Sequence, residues 1–163
     1  LRPWCLLLTS LCLACAHPGT RVQTSPSADF SHYQHIGVAP FTDHRGKGRL
    51  ITEGIDGGLR LMLHGGADQK MVAEILKKQQ PDPDFGFAIE ALESLRTKAA
   101  ADAVVNGAVA RDWSSASLNM IDTETGESVL KALLKPKDRK QKAFTSPQEI
   151  VEEALRVFAA LFQ

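Results

Sequence analysis

A chain of 163 residues, 44% of them hydrophobic, is long enough for one domain with a real core. Its 19 basic and 19 acidic side chains cancel, which removes a global electrostatic case for nucleic-acid binding, and no nucleic-acid partner is expected. The three cysteines, Cys5, Cys12 and Cys15, all precede Ala16, so the remainder of the chain has neither a disulfide staple nor a cysteine metal site.

Residues 1–14 carry one charge, Arg2, ahead of a short apolar run. The run is too short for a permanent membrane span and has the size of the apolar core of a secretory signal, with small Ala14 at its end. The segment Leu11-Cys12-Leu13-Ala14-Cys15 resembles the processing box of bacterial lipoproteins. That resemblance implies a signal peptide over 1–14, an acylated Cys15 as first mature residue, and, with Ala16 following it, a destination at the outer membrane facing the periplasm. Residues 15–32 are polar and turn-prone and read as lipid anchor and flexible tether, leaving 33–163 as the folded domain.

The domain opens on a strand, His35–Phe41, which Pro40 ends. Thr42–Gly48 follows as a solvated loop. Its Gly46-Lys47-Gly48-Arg49 lacks the Ser or Thr that a Walker loop places after the lysine, so no nucleotide and no other cofactor is expected. Arg45, Lys47 and Arg49 are candidate partner contacts. Arg49–His64 reads as a helix, with Ile51, Ile55, Leu59 and Met62 on one stripe. Gly54, Gly57 and Gly58 point to close packing against the sheet or a kink, and Gly65-Gly66 to a stop. Ala67–Val72 is open between an edge strand and the start of a helix running through Lys78. Gln79–Asp84 is a break, and a helix capped by Asp84 and starting near Phe85 buries Ala88, Ala91, Leu92, Leu95 and Ala99.

Three strands follow: Ala103–Asp112, Ala116–Ile121 and Ser128–Leu134. In the second, Ala116, Leu118 and Met120 share a face, and in the third Leu130, Ala132 and Leu134 do. Asn106-Gly107 alone is a hairpin signal, but its Val and Ala flanks favour a bulge or a packing glycine within a continuous strand. Trp113 is expected to rest on the sheet edge. Asp122, Glu124 and Glu127 lack the spacing of a calcium loop and read as a solvated turn. The run Lys135–Lys142 is a local basic patch, with Lys135, Lys137, Arg139, Lys140 and Lys142 as candidate contacts for an acidic protein or an anionic envelope polymer or headgroup. Ser146, Pro147 and Glu149 form a capping box for a last, broadly apolar helix.

The fold expected is a single α/β domain of two or three layers. Its mixed sheet has one amino-terminal strand plus a three-strand antiparallel meander, covered by about four helices. Ala101-Asp102-Ala103-Val104-Val105-Asn106-Gly107-Ala108-Val109 and Ile121-Asp122-Thr123-Glu124-Thr125-Gly126-Glu127, in that order after the first strand, resemble the periplasmic domain of the curli-secretion lipoprotein and the amino-terminal domain of the Tol-system translocation protein. The resemblance implies an anchored, non-enzymatic domain that docks onto another envelope component, with a homo-oligomer among the expectations. It carries neither the membrane-inserting hairpins of the secretion channel nor the Tol-type propeller. The leading function is therefore a lipid-anchored adaptor or assembly factor of an envelope complex. Alternatives are a subunit of an oligomeric outer-membrane secretion assembly and, more remotely, a hydrolase using Asp43 and His44 as a general-base pair.

Overall fold

The computed structural model describes residues 19–78 and 86–163. The signal segment and Cys15 lie outside them, as do Asp84 and Phe85. Along the chain run β1 (Arg21–Thr24), β2 (Ile36–Val38), α1 (Gly48–Leu63), α2 (Gln69–Lys77), α3 (Ile89–Lys98), β3 (Ala103–Val109), β4 (Ala116–Asp122), β5 (Ser128–Leu134) and α4 (Pro147–Leu161). The strands form one mixed sheet ordered β1-β5-β4-β3-β2, in which β2 and β3 are parallel and the other neighbours antiparallel.

Strand alternation sorts the core into two layers. Ala103, Val105, Leu118, Met120, Leu130 and Leu134 face α1 and α4, where Ile55, Leu59, Ile150, Ala154 and Phe158 complete the larger cluster. Val104 and Ile121 face the other way, onto Val72 and Leu76 of α2 and Leu92 and Leu95 of α3. The architecture is thus the expected mixed sheet under four helices, resolved as three layers.

Four local expectations change. The first is the tether. Arg21–Thr24, inside the stretch 15–32, pairs antiparallel with β5, Arg21 opposite Leu133 and Thr24 opposite Leu130. Only Val22 among these residues is apolar, and it packs on the core, so an edge strand of four residues leaves almost no periodic signal. Phe30–His32 then makes a 3-10 turn capped by Asp29. Second, Ala67–Val72 leads into helix, with Asp68 as N-cap accepting from the Met71 N–H. Third, α3 begins at Ile89 without a side-chain cap. Fourth, Gly54 and Gly58 face Val151 and Leu155 of α4, not the sheet; a Cβ at either would overlap those side chains. The glycines let two helices approach closely on one side of the sheet.

Asn106-Gly107 stays within a continuous β3, as a packing glycine should. The ring of Phe41 lies over Gly107, and the register shift falls instead at Met120 and Ile121 of β4. Beyond Pro40, Thr42 bridges back to Ala108 and extends the parallel pairing. At the sheet's β2 edge the Gln69 amide both donates to the Val38 carbonyl and accepts from the Val38 N–H, so that edge is closed to further strands.

Candidate functional site

The topology gathers one end of every strand into a single surface. The amino end of β1, the carboxyl ends of β2, β3 and β5 and the amino end of β4 all meet there, as the registers require. The loops leaving that end hold every basic residue singled out from the sequence. Arg45 and Lys47 lie on the loop before α1, with Arg49 in the first turn of that helix, and Lys135–Lys142 follows β5. Two segments about ninety residues apart are therefore neighbours.

Trp113 joins them. It sits in the β3–β4 turn, 2% exposed, with a positive φ of 62°. Its indole N–H donates to Asp43 Oδ1 at 3.0 Å, and the Arg45 guanidinium lies 4.6 Å over its ring. Its carbonyl accepts from the Phe144 N–H at 2.8 Å, at the far end of the basic run. Trp113 thus lies not at an edge of the sheet but in the turn between two inner strands, and its linking role leaves no mark in the sequence because both partners are remote along the chain. Arg111, exposed beside it, was also passed over.

Asp43 is held below the usual carboxylate range. Partial burial opposes its ionisation, but the Lys47 and Arg45 N–H groups, the Trp113 indole and the Arg45 charge outweigh it. Its other oxygen accepts from the Lys47 N–H at 2.7 Å. With both oxygens so engaged, Asp43 does not orient His44, and the general-base pair considered from the sequence is not assembled.

The basic run itself is exposed from Lys137 to Lys140 and again at Lys142, while Lys135 is half-buried. Arg49 pairs with Glu53 at 2.7 Å. None of Lys137, Arg139, Lys140 and Lys142 forms an ion pair among the described residues. Asp138 accepts from the Lys140 N–H, and Glu149 accepts from the Thr145 N–H and the Gln141 side-chain amide, and neither is in an ion pair with these cations among the described residues. Between this loop and α4 lies a cleft of about 470 Å³ lined by Lys137, Asp138, Gln141, Glu149, Glu152, Glu153 and Arg156.

Glu153 fixes the entry of the chain into this surface. It is 3% exposed, and its Oε1 accepts from the Thr20 hydroxyl at 2.8 Å. Arg156 Nη1 is 3.1 Å from Oε2 but off the line of a hydrogen bond. Burial pushes the carboxyl up from its ordinary range, and the Thr20 hydroxyl and the Lys137 charge offset this only in part. A raised folded-state pKa contributes stability below the unfolded value, and that contribution is lost as pH rises through the folded value. Glu153→Gln keeps the acceptor for Thr20 and removes the buried charge. Its melting temperature should exceed that of the parent at pH 8 and converge with it near pH 4; a lower value at pH 8 would contradict this account.

The opposite end of the sheet is acidic. Tyr33 donates to Asp122 Oδ2 at 2.8 Å, and Asp102 accepts from the Gln34 and His35 N–H groups. Burial first, and then the bond to Asp122, push the Tyr33 phenol above its ordinary range. The Asp122–Glu127 turn is self-capped, Asp122 Oδ1 accepting from the Glu124 and Thr125 N–H groups. Among the described residues, no group of three or more His, Cys, Asp or Glu side chains is placed to hold a metal ion.

What these features define is an α/β domain with a helix-covered mixed sheet and strongly uneven charge at its two ends. Compared by sequence, the chain matches no protein-family model and no curated protein. Its fold is similar to that of the PelC dodecamer from Paraburkholderia phytofirmans, with a TM-score of 0.53 and 14% identity, covering 88% of this chain and 98% of that one. A point variant of the same dodecamer gives a TM-score of 0.51 and 12% identity over the same shares. At such identity the likeness is one of fold. Neither of these two structures is one of the curli-secretion or Tol-system domains that the sequence motifs resemble, and what they bear out is the α/β fold.

Proposed function

We propose that this chain is a non-catalytic subunit of an oligomeric bacterial outer-membrane secretion assembly, held at the periplasmic face by a lipid on Cys15. The observation that carries this reading is the shared fold with a dodecamer, which extends over nearly the whole of that protein's chain. It favours a subunit of a homo-oligomer over a free-standing adaptor. The lipoprotein-like box ending at Cys15 supports the address. The exposed basic loops around Trp113 supply a contact surface.

Contacts between copies also have apolar material available. Leu61 is 80% exposed and Leu50 54% on the outer side of α1, and Ile89 is 78% exposed at the start of α3. Large aliphatic side chains left so open on a domain with a full core suit burial against a neighbour. Native mass spectrometry of the detergent-extracted protein should show a high-order closed oligomer. Leu61→Glu should shift it toward smaller species without altering the circular dichroism spectrum. A monomer at micromolar concentration in mild detergent would refute the subunit reading.

A further inference from the structure

We infer that the loops at the Trp113 end of the sheet form a membrane-docking face that takes the anionic headgroups of phospholipids. This rests on Cys15 being the lipid-bearing residue. Cys15 stands four residues before Gly19, and an extended chain advances at most about 3.6 Å per residue, so the acyl chains enter the bilayer within roughly 15 Å of Gly19. Gly19 in turn is packed on the start of the basic run. A Cβ built on it would lie 3.2 Å from Lys135 Cβ, and the next residue, Thr20, accepts from the Lys135 N–H at 3.0 Å. From Arg21 onward the chain is tied to β5. The leash between lipid and fold is thus a few residues, too short for the domain to turn its far, acidic end to the membrane.

The face that this short leash presents carries Lys137, Arg139, Lys140 and Lys142 exposed and without ion pairs among the described residues. Trp113 sets Arg45 beside them. The acids facing this patch from α4 and the loop itself, Asp138, Glu149 and Glu152, are engaged with Lys140 N–H, with Thr145 and Gln141, and with Gln148 respectively. Separate exposed cations spread over an open loop suit a plane of negative charge, and no aromatic side chain lies between Lys135 and Lys142 to stack on a polymer's rings. The lipid surface, already brought there by the anchor, is therefore the occupant that the geometry favours over a soluble polyanion. Near an anionic bilayer each lysine or arginine strengthens binding by roughly fivefold.

The test uses the chain from Ala16 onward, which lacks the anchor but keeps both core clusters and every described strand and helix. It should co-sediment with phosphatidylcholine vesicles containing about 30% phosphatidylglycerol, bind pure phosphatidylcholine vesicles at least about tenfold more weakly, and lose binding as salt rises. Reversing Lys137, Arg139 and Lys140 together to glutamate should cost at least about a hundredfold, the figure for removing three charges, because the new carboxylates are also repelled. Lys131→Glu, on the uncovered sheet face, should cost little. Equal binding to both vesicle types, indifference to the triple reversal, or capture of soluble alginate in place of vesicles would each overturn the docking face. Metabolic lipid labelling of the full chain is read separately. Labelled Cys15 without vesicle binding removes the docking face alone; vesicle binding with an unlabelled Cys15 removes the anchor alone.

Discussion

Trp113→Ala should cost about 3–5 kcal/mol of folding stability, the range for truncating a large buried aromatic. The side chain is almost fully buried and belongs to the cluster shared by α1, α4 and the sheet. Its loss also leaves Asp43 without its indole donor and Arg45 without the ring beneath it. Trp113→Phe separates these effects. It retains most of the buried surface and removes only the N–H donated to a carboxylate, an expected loss of about 1.5 kcal/mol. It should also raise the Asp43 pKa toward the ordinary range, because one of the groups holding it down is gone. Urea titrations followed by circular dichroism measure the first quantity and carboxyl NMR titrations the second. The only other tryptophan is Trp4, so in the chain from Ala16 onward unfolding is also visible in Trp113 fluorescence. A loss under about 1 kcal/mol for Trp113→Ala would mean that the two basic loops are held by something other than this residue.

Gly107→Ala should be nearly as damaging, at about 3 kcal/mol, the upper end of what overpacking costs. An added Cβ there would overlap both the Phe41 ring and the Ser117 carbonyl oxygen. The ring could swing aside, but the carbonyl belongs to β4, whose position is set by its pairing with β3 and β5. Relief would therefore need a shift of the sheet's centre. Ala108→Gly, one residue along and facing the other side, serves as the control: its cost should stay near 1 kcal/mol, the usual loss for an unconstrained glycine in a strand. Backbone entropy alone would favour alanine at Gly107, so a loss there no larger than at Ala108 would show that the Phe41 ring and the β4 backbone yield to the added methyl group.

Much of the architecture was legible because its signals are local. Strict alternation in β4 and β5, the fourfold spacing of Ile51, Ile55 and Leu59, and the Ser146–Glu149 box each specify an element within a few residues. Gly107 was legible as a packing glycine because Val104, Val105, Ala108 and Val109 around it would make a poor turn. The edge strand β1 was not, since three of its four residues carry polar chains to solvent and its pairing partner lies more than a hundred residues away. The site divides in the same way. Arg45, Lys47, Arg49 and the run from Lys135 to Lys142 stand out as charges in sequence, whereas Thr20, Glu153, Arg111 and Trp113 become part of the same surface only through contacts at long range.

By itself, then, the sequence determined most of the helices and the inner strands, that the basic charge lies in two loops, and that a lipoprotein-like box precedes the fold. Those are matters of periodicity, capping chemistry and composition, which short windows contain. The tertiary structure decided that both loops leave the same end of the sheet, that Trp113 joins them, and that Gly19 and Thr20 pack against Lys135 at that end. Strand order and register bring these residues together, and a sheet's strand order is set by burial across the whole domain, which no single segment encodes.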